Sequence, residues 1–288
     1  MSLPPADWPN RATSRIVRSG GIAWHVQEAG EGPVLLLLHG TGAATHSWRD
    51  ILPEATKSFR VIAPDLPGHG FTTGRPAGGL SLPAIARALM PLLGELDALP
   101  ALIVGHSAGA AVALRLVLDG ATPNGVVALA PALLPFPGIA QQLFPAMAKL
   151  LFVNPFAPHV FAGIARQPGA VERFLTRSTG STIDAAGIAA YARLFGTAAH
   201  CGGAIGMMAD WDLVALKAAL PSIALPVLIL HGDRDTAIPV SAARESAAML
   251  PDAHVEVWPG TGHLLHEERP AETVARLLSF ARQTDALT

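Results

Sequence analysis

Ala101-Leu-Ile-Val-Gly-His-Ser-Ala-Gly109 runs without a break into Ala110-Ala-Val-Ala-Leu-Arg-Leu-Val-Leu118. Its first four residues are apolar on both sides, the pattern of a strand buried on both faces of a parallel sheet. From Ala108 to Leu118 the chain is Ala, Leu and Val with Arg115 as its only charge, which predicts a buried helix. Between the two lies Gly105-His-Ser-Ala-Gly109, a G-x-S-x-G pattern. A sharp strand-to-helix turn there forces Ser107 into a strained conformation, and only glycine-sized neighbours permit the close approach of backbones. The turn lifts the hydroxyl above the C-terminal edge of the sheet, where open α/β folds place ligands.

The same alternation extends on both sides. Pro33–Leu38, Arg60–Pro64 and Gly125–Ala130 read as further buried strands, with a helix over Ser81–Met90 opened by a serine cap and an early proline. Arg15–Arg18 and Ile22–Gln27, split by Gly20-Gly21, read as an antiparallel hairpin on the sheet edge. Near the C-terminus come a strand at Pro226–Leu230, a helix at Ser241–Leu250, a last strand at Ala253–Trp258 and a last helix at Pro270–Arg282. The expectation is an α/β fold with eight strands, mostly parallel, and helices on both faces. Between Leu134 and Asp212 no strand pattern occurs, and a structureless loop of that length is improbable in a compact domain. Helical stretches at 139–151, 169–177, 184–194 and 204–211 suggest an inserted helical cap, dividing the chain into a core (1–133 and 213–288) and a cap (134–212). The cap holds seven of the ten Phe residues (136, 144, 152, 156, 161, 174 and 195). They pack the cap onto the core, line an apolar pocket, or face a membrane surface.

With 288 residues, 50% hydrophobic and 15% charged, the chain is long and apolar enough to bury a large core without disulfide or metal. Cys201 is its only cysteine, which suits a reducing compartment. A formal net charge of −2 gives no footprint for nucleic acid. Neither a signal peptide nor a transmembrane segment is expected, so the default is a cytoplasmic protein.

A serine hydroxyl needs a base. His263, in Gly260-Thr-Gly-His263 after the last strand, is preferred to His266 because its glycines allow a loop reaching over the sheet edge. The base needs an orienting carboxylate. In Gly232-Asp-Arg-Asp235, Asp235 lies deeper in the turn, whereas Asp233 suits a capping role or a pair with Arg234. His39-Gly-Thr-Gly42 follows another strand, and Thr41 or Gly42 offers an amide to an oxyanion beside that of Ala108. His39 is expected to orient this loop. His39, Gly42, His106, Phe136, Phe144, Met207 and Trp211 are candidate pocket residues. No metal-ligand spacing is present and no cofactor is expected; Glu267-Glu268 reads as a solvated helix approach.

In this order, HGTG (39–42), DLPGHG (65–70), GHSAG (105–109), HGDRD (231–235) and GTGH (260–263) resemble the α/β-hydrolase superfamily over nearly the whole chain. The resemblance implies Ser107, Asp235 and His263 as a catalytic triad, with the Thr41 and Ala108 amides as oxyanion hole. Ser107 departs from the haloalkane dehalogenases and epoxide hydrolases, whose nucleophile is Asp. Further stretches (Ala6–Asn10, Trp24–Val26, Leu35–Ala43, Thr45–Arg49, Gly105–Leu114 and Met207–Trp211) are similar to the magnesium-chelatase accessory protein family of bacteriochlorophyll gene clusters. That implies a place in pigment synthesis and a magnesium chelatase complex as partner. Two functions follow as expectations. One is a serine hydrolase acting on an ester, or related acyl bond, of a hydrophobic small molecule such as a tetrapyrrole. The other is an accessory porphyrin-binding protein whose triad is idle.

Overall fold

The computed structural model describes residues 3–135 and 154–287. Eight strands form one sheet: β1 (Ser14–Ser19), β2 (Ile22–Ala29), β3 (Val34–Leu38), β4 (Arg60–Pro64), β5 (Pro100–His106), β6 (Gly125–Leu129), β7 (Val227–Gly232) and β8 (Ala253–Trp258). Their spatial order is β1-β2-β4-β3-β5-β6-β7-β8. The β1–β2 hairpin and the β2–β4 pair are antiparallel, and every pair from β4 to β8 is parallel. The fold is the mostly parallel α/β sheet expected.

Successive side chains of a strand point to opposite faces. Leu36, Leu38, Ile62, Ile103, Val126 and Ile229 therefore pack on one side, and Leu35, Leu37, Val61, Leu102, Val127, Leu228 and Leu230 on the other. Both sets are buried, which is why the strands read as unbroken apolar runs. Helices α1 (Leu82–Glu95) and α2 (Ala108–Leu118) cover the first side. The second is covered by Trp48, Ile51, Phe59 and the final helix, through Val274, Leu277 and Phe280. Helix α1 runs on past Met90 with Pro91 inside it. Pro91 is exposed, and the burial of Leu89, Leu92 and Leu93 outweighs its one missing backbone bond.

Between β6 and β7 the described residues contribute α3 (Ala157–Ala165), α4 (Ala170–Thr179), α5 (Ala185–Phe195), α6 (Ala198–Asp210) and α7 (Val214–Ala219). Helix α3 was not anticipated, and α6 begins six residues before the stretch expected from Ala204. Gly202-Gly203 does not end that helix. An added Cβ on Gly203 would lie 1.6 Å from the Gly68 carbonyl oxygen, so the glycine lets α6 touch the loop after β4. The stretch expected at 139–151 lies outside the described residues. After β7 come α8 (Val240–Met249), a short helix at Leu265–Glu268 and α9 (Pro270–Gln283).

Candidate active site

Ser107 links β5 to α2 with φ 51° and ψ −115°, outside the allowed regions for an L-residue. Its amide bonds the Leu129 carbonyl at 2.9 Å, and its carbonyl accepts from Ala110 and Ala132. Both glycines of the pattern are sterically required. A Cβ on Gly105 would stand 2.5 Å from the Ala110 backbone, and one on Gly109 would stand 2.1 Å from the Leu38 carbonyl oxygen. Gly40 brings the loop after β3 against the same point, since its missing Cβ would lie 3.0 Å from the Ser107 Cβ. Ala108 is the first residue of α2, so its amide has no acceptor within the helix.

His263 donates from Nδ1 to Asp235 Oδ2 at 2.7 Å. The other carboxylate oxygen accepts the amides of Ala237 (2.8 Å) and Ile238 (2.9 Å), so the buried side chain cannot swing away. An ionised carboxylate only accepts, which puts the proton on Nδ1 and leaves the Nε2 lone pair as the basic site. The loop carrying His263 is braced from four directions. Its amide donates to the Thr179 carbonyl (2.8 Å), and its carbonyl accepts from His106 Nε2 (3.0 Å). Leu264 N–H bonds Ser181 Oγ, and Gly262 N–H bonds Glu268 Oε2, both at 2.8 Å. Thr179 and Ser181 belong to the segment between β6 and β7, so this insert and the imidazole share one hydrogen-bond network.

The rival residues stand elsewhere. Asp233 accepts the Gly260 amide at 2.7 Å and caps the loop. His266 is wholly buried, donates from Nε2 to Ser47 Oγ at 2.8 Å, and packs on Trp48 and His106. The reading of Glu267-Glu268 as solvated is corrected. Glu267 is buried, accepts from Ser47 Oγ and Tyr191 Oη at 2.8 Å each, and pairs with Arg49. Burial pushes its carboxyl up, against the pull of Arg49. Arg49 also reaches Asp184 at 2.8 Å, which ties the start of α5 to the core. Glu268 accepts the Thr182 amide as well as that of Gly262.

The remaining candidates divide. His39 is buried with both nitrogens engaged, Nδ1 donating to the Gly40 carbonyl and Nε2 accepting the Leu66 amide, each at 2.8 Å. These bonds brace the loop and leave no free ring nitrogen for a ligand. The Thr41 hydroxyl donates to the buried Met207 sulfur at 3.3 Å. Gly42 has φ 78° and meets Phe195. Trp211 packs against the large core cluster. Phe136 and Phe144 lie outside the described residues. His200 escaped the sequence reading: on α6, it donates to the Gly42 carbonyl (3.0 Å) and accepts the Gly70 amide (3.1 Å). Burial lowers its pKa to about 4, consistent with a neutral ring that accepts at Nδ1. A histidine within an Ala- and Gly-rich helix was its only signal.

Beside the Ser107 turn, a mainly apolar cavity of about 430 Å³ opens between the ends of β6 and β7, lined by Leu133, Leu134, Val214, Ile238 and Pro239 with Lys217 and Glu245 among them; Ser107, Asp235 and His263 do not themselves line it. Its size falls within the usual ligand-site range. Its wall meets the site through the Ala132 amide on Ser107 and the Ile238 amide on Asp235. Among the described residues no cluster of His, Cys, Asp or Glu could hold a metal ion, and no helix is long and apolar enough to cross a membrane.

Residues 35–277 match the model of the alpha/beta hydrolase family. The chain is 42% identical over 265 residues to the magnesium-chelatase 30 kDa subunit of Rhodobacter capsulatus, covering 91% of this chain and 92% of that one. It is 34% identical to a pimeloyl-[acyl-carrier protein] methyl ester esterase of Aromatoleum aromaticum, over 87% of this chain and 98% of that one. Among solved structures, a putative lipase of Acinetobacter baumannii superposes with a TM-score of 0.78 at 21% identity, covering 94% and 91% of the two chains. The chain belongs to the alpha/beta hydrolase family.

Proposed function

We propose that this member of the alpha/beta hydrolase family is a serine hydrolase cleaving an ester, or a related acyl bond, of a hydrophobic substrate, and that it serves the magnesium-chelation step of bacteriochlorophyll synthesis from the cytoplasm. The observation that carries the reading is the 2.7 Å contact of His263 Nδ1 with the buried Asp235, in a chain that holds Ser107 in a strained turn. In the proposed reaction Ser107 Oγ attacks the carbonyl carbon and His263 Nε2 takes its proton. The negative oxygen accepts from the Thr41 and Ala108 amides. As the tetrahedral intermediate collapses, His263 returns the proton to the departing alcohol, and water then releases the acid by the same route. Asp235 holds the imidazole tautomer and stabilises the imidazolium. The β6–β7 insert acts as a cap over this site, and the apolar cavity beside it suits a greasy substrate.

Fluorophosphonate labelling tests the reading. The wild-type chain should label and Ser107→Ala should not; a folded wild-type chain that fails to label would overturn it. The likeness to a chelatase subunit supports a second reading, an accessory protein that holds a tetrapyrrole for the chelatase. On that reading Ser107→Ala would still support magnesium chelation in a reconstituted assay. On the hydrolase reading it would not.

A further inference from the structure

We propose that the outer face of α3 and α4 docks on an anionic lipid bilayer. From Phe156, the N-cap of α3, Val160 and Ile164 follow at every fourth residue; the three are 73%, 58% and 50% exposed, with Phe161 beside them at 43%. On α4, Phe174 is 56% exposed. One helical stripe of large apolar side chains, left open to water and continued on the neighbouring helix, is more than a scatter of surface residues. The buried side of α3 is made of small residues, Ala157 and Ala162, so its bulky side chains have been placed outward.

The charges beside the stripe select the partner. Arg166, Arg173 and Arg177 are exposed, and none meets a carboxylate among the described residues. Arg166 donates to the Gly196 carbonyl and Arg173 to the Pro168 carbonyl, contacts that anchor the guanidinium groups without neutralising them. Over residues 154–183 these three arginines face one acid, the exposed Glu172, leaving +2 on a chain whose total is −2. Large apolar side chains open to water on adjoining helices, with flanking arginines, are the composition of a segment lying in a bilayer interface, and each arginine near an anionic surface adds attraction. A second copy of the chain fits less well, because a two-fold contact through this face would set like arginines against each other.

The proposal does not depend on chemistry at Ser107. Its test is co-sedimentation of the full chain with vesicles of phosphatidylcholine alone or mixed equally with phosphatidylglycerol. Binding should be confined to the mixed vesicles and fall with added salt. The variant Phe156→Ser/Phe161→Ser and the variant Arg166→Gln/Arg173→Gln should each lower partitioning by about tenfold, with unchanged circular dichroism and thermal midpoint. Failure of the wild type to sediment with either vesicle would overturn the proposal. So would binding unaltered in both variants, or a dimer in lipid-free solution that the variants dissociate. Fluorophosphonate labelling of the same variants is expected to match the wild type, which separates this proposal from the hydrolase reading.

Discussion

Asp235 divides its two oxygens between tasks: one faces the His263 ring, and the other is fixed by two backbone amides. Asp235→Asn keeps the size of the side chain but removes an acceptor-only group, so the imidazole loses the partner that sets its tautomer. On the hydrolase reading, kcat on a p-nitrophenyl ester should fall by about 10⁴-fold with the fold intact. Asp233→Asn, at a side chain that bonds the Gly260 amide, should change kcat little. Equal losses in the two variants would argue against an orienting role for Asp235. At this scale the sequence was informative wherever the physical demand is local. The glycines flanking Ser107 are dictated by backbones within a few residues or one strand away. Glu267 was misread because its partners, Arg49 and Ser47, lie 218 and 220 residues distant, and nothing in two adjacent acids announces a buried one.

Helix α6 shows how a glycine pair can serve two purposes. Gly203 lies against the Gly68 carbonyl, whereas a Cβ on Gly202 would meet only the Pro158 ring at an ordinary 3.5 Å. Gly203→Ala must separate the helix from the loop and should destabilise the protein by about 1–3 kcal/mol. Gly202→Ala should be neutral or stabilising by up to about 1 kcal/mol, since alanine is the better helix former. Urea unfolding of both variants checks the pair, and equal midpoints would remove the close-contact explanation. The helix start was missed for the same reason. The sequence does not show the backbone that Gly203 approaches, and α3 went unread in a Pro- and Gly-bearing stretch. The strands were easier, because burial on both faces leaves an uninterrupted apolar run.

Across the molecule, nine of the eleven histidines are buried. Burial lowers the pKa of His39, His46, His69, His106, His200, His231 and His266, to about 4 for His200 and about 3 for His266. Such rings bind fewer protons folded than unfolded. Their contribution to stability is therefore present above the unfolded value of 6.5 and is lost as pH falls from there through the folded values. Each costs up to about 1.4 kcal/mol per pH unit in that window. The protein should lose stability steeply between pH 6.5 and 4. His200→Gln should flatten the dependence by about one proton over that range, whatever it does to stability at neutral pH. Urea unfolding as a function of pH measures the slope, and identical slopes would show that His200 does not report this linkage.

The bonds from Thr179 to His263 and from Ser181 to Leu264 constrain how such a protein could be rebuilt. A trimmed version in which a short linker replaced everything between β6 and β7 would leave the imidazole's own backbone without its supports. A chimera carrying a foreign segment there must keep the few residues around Ser181 as a graft boundary, because they hold the backbone of His263 and Leu264 in place.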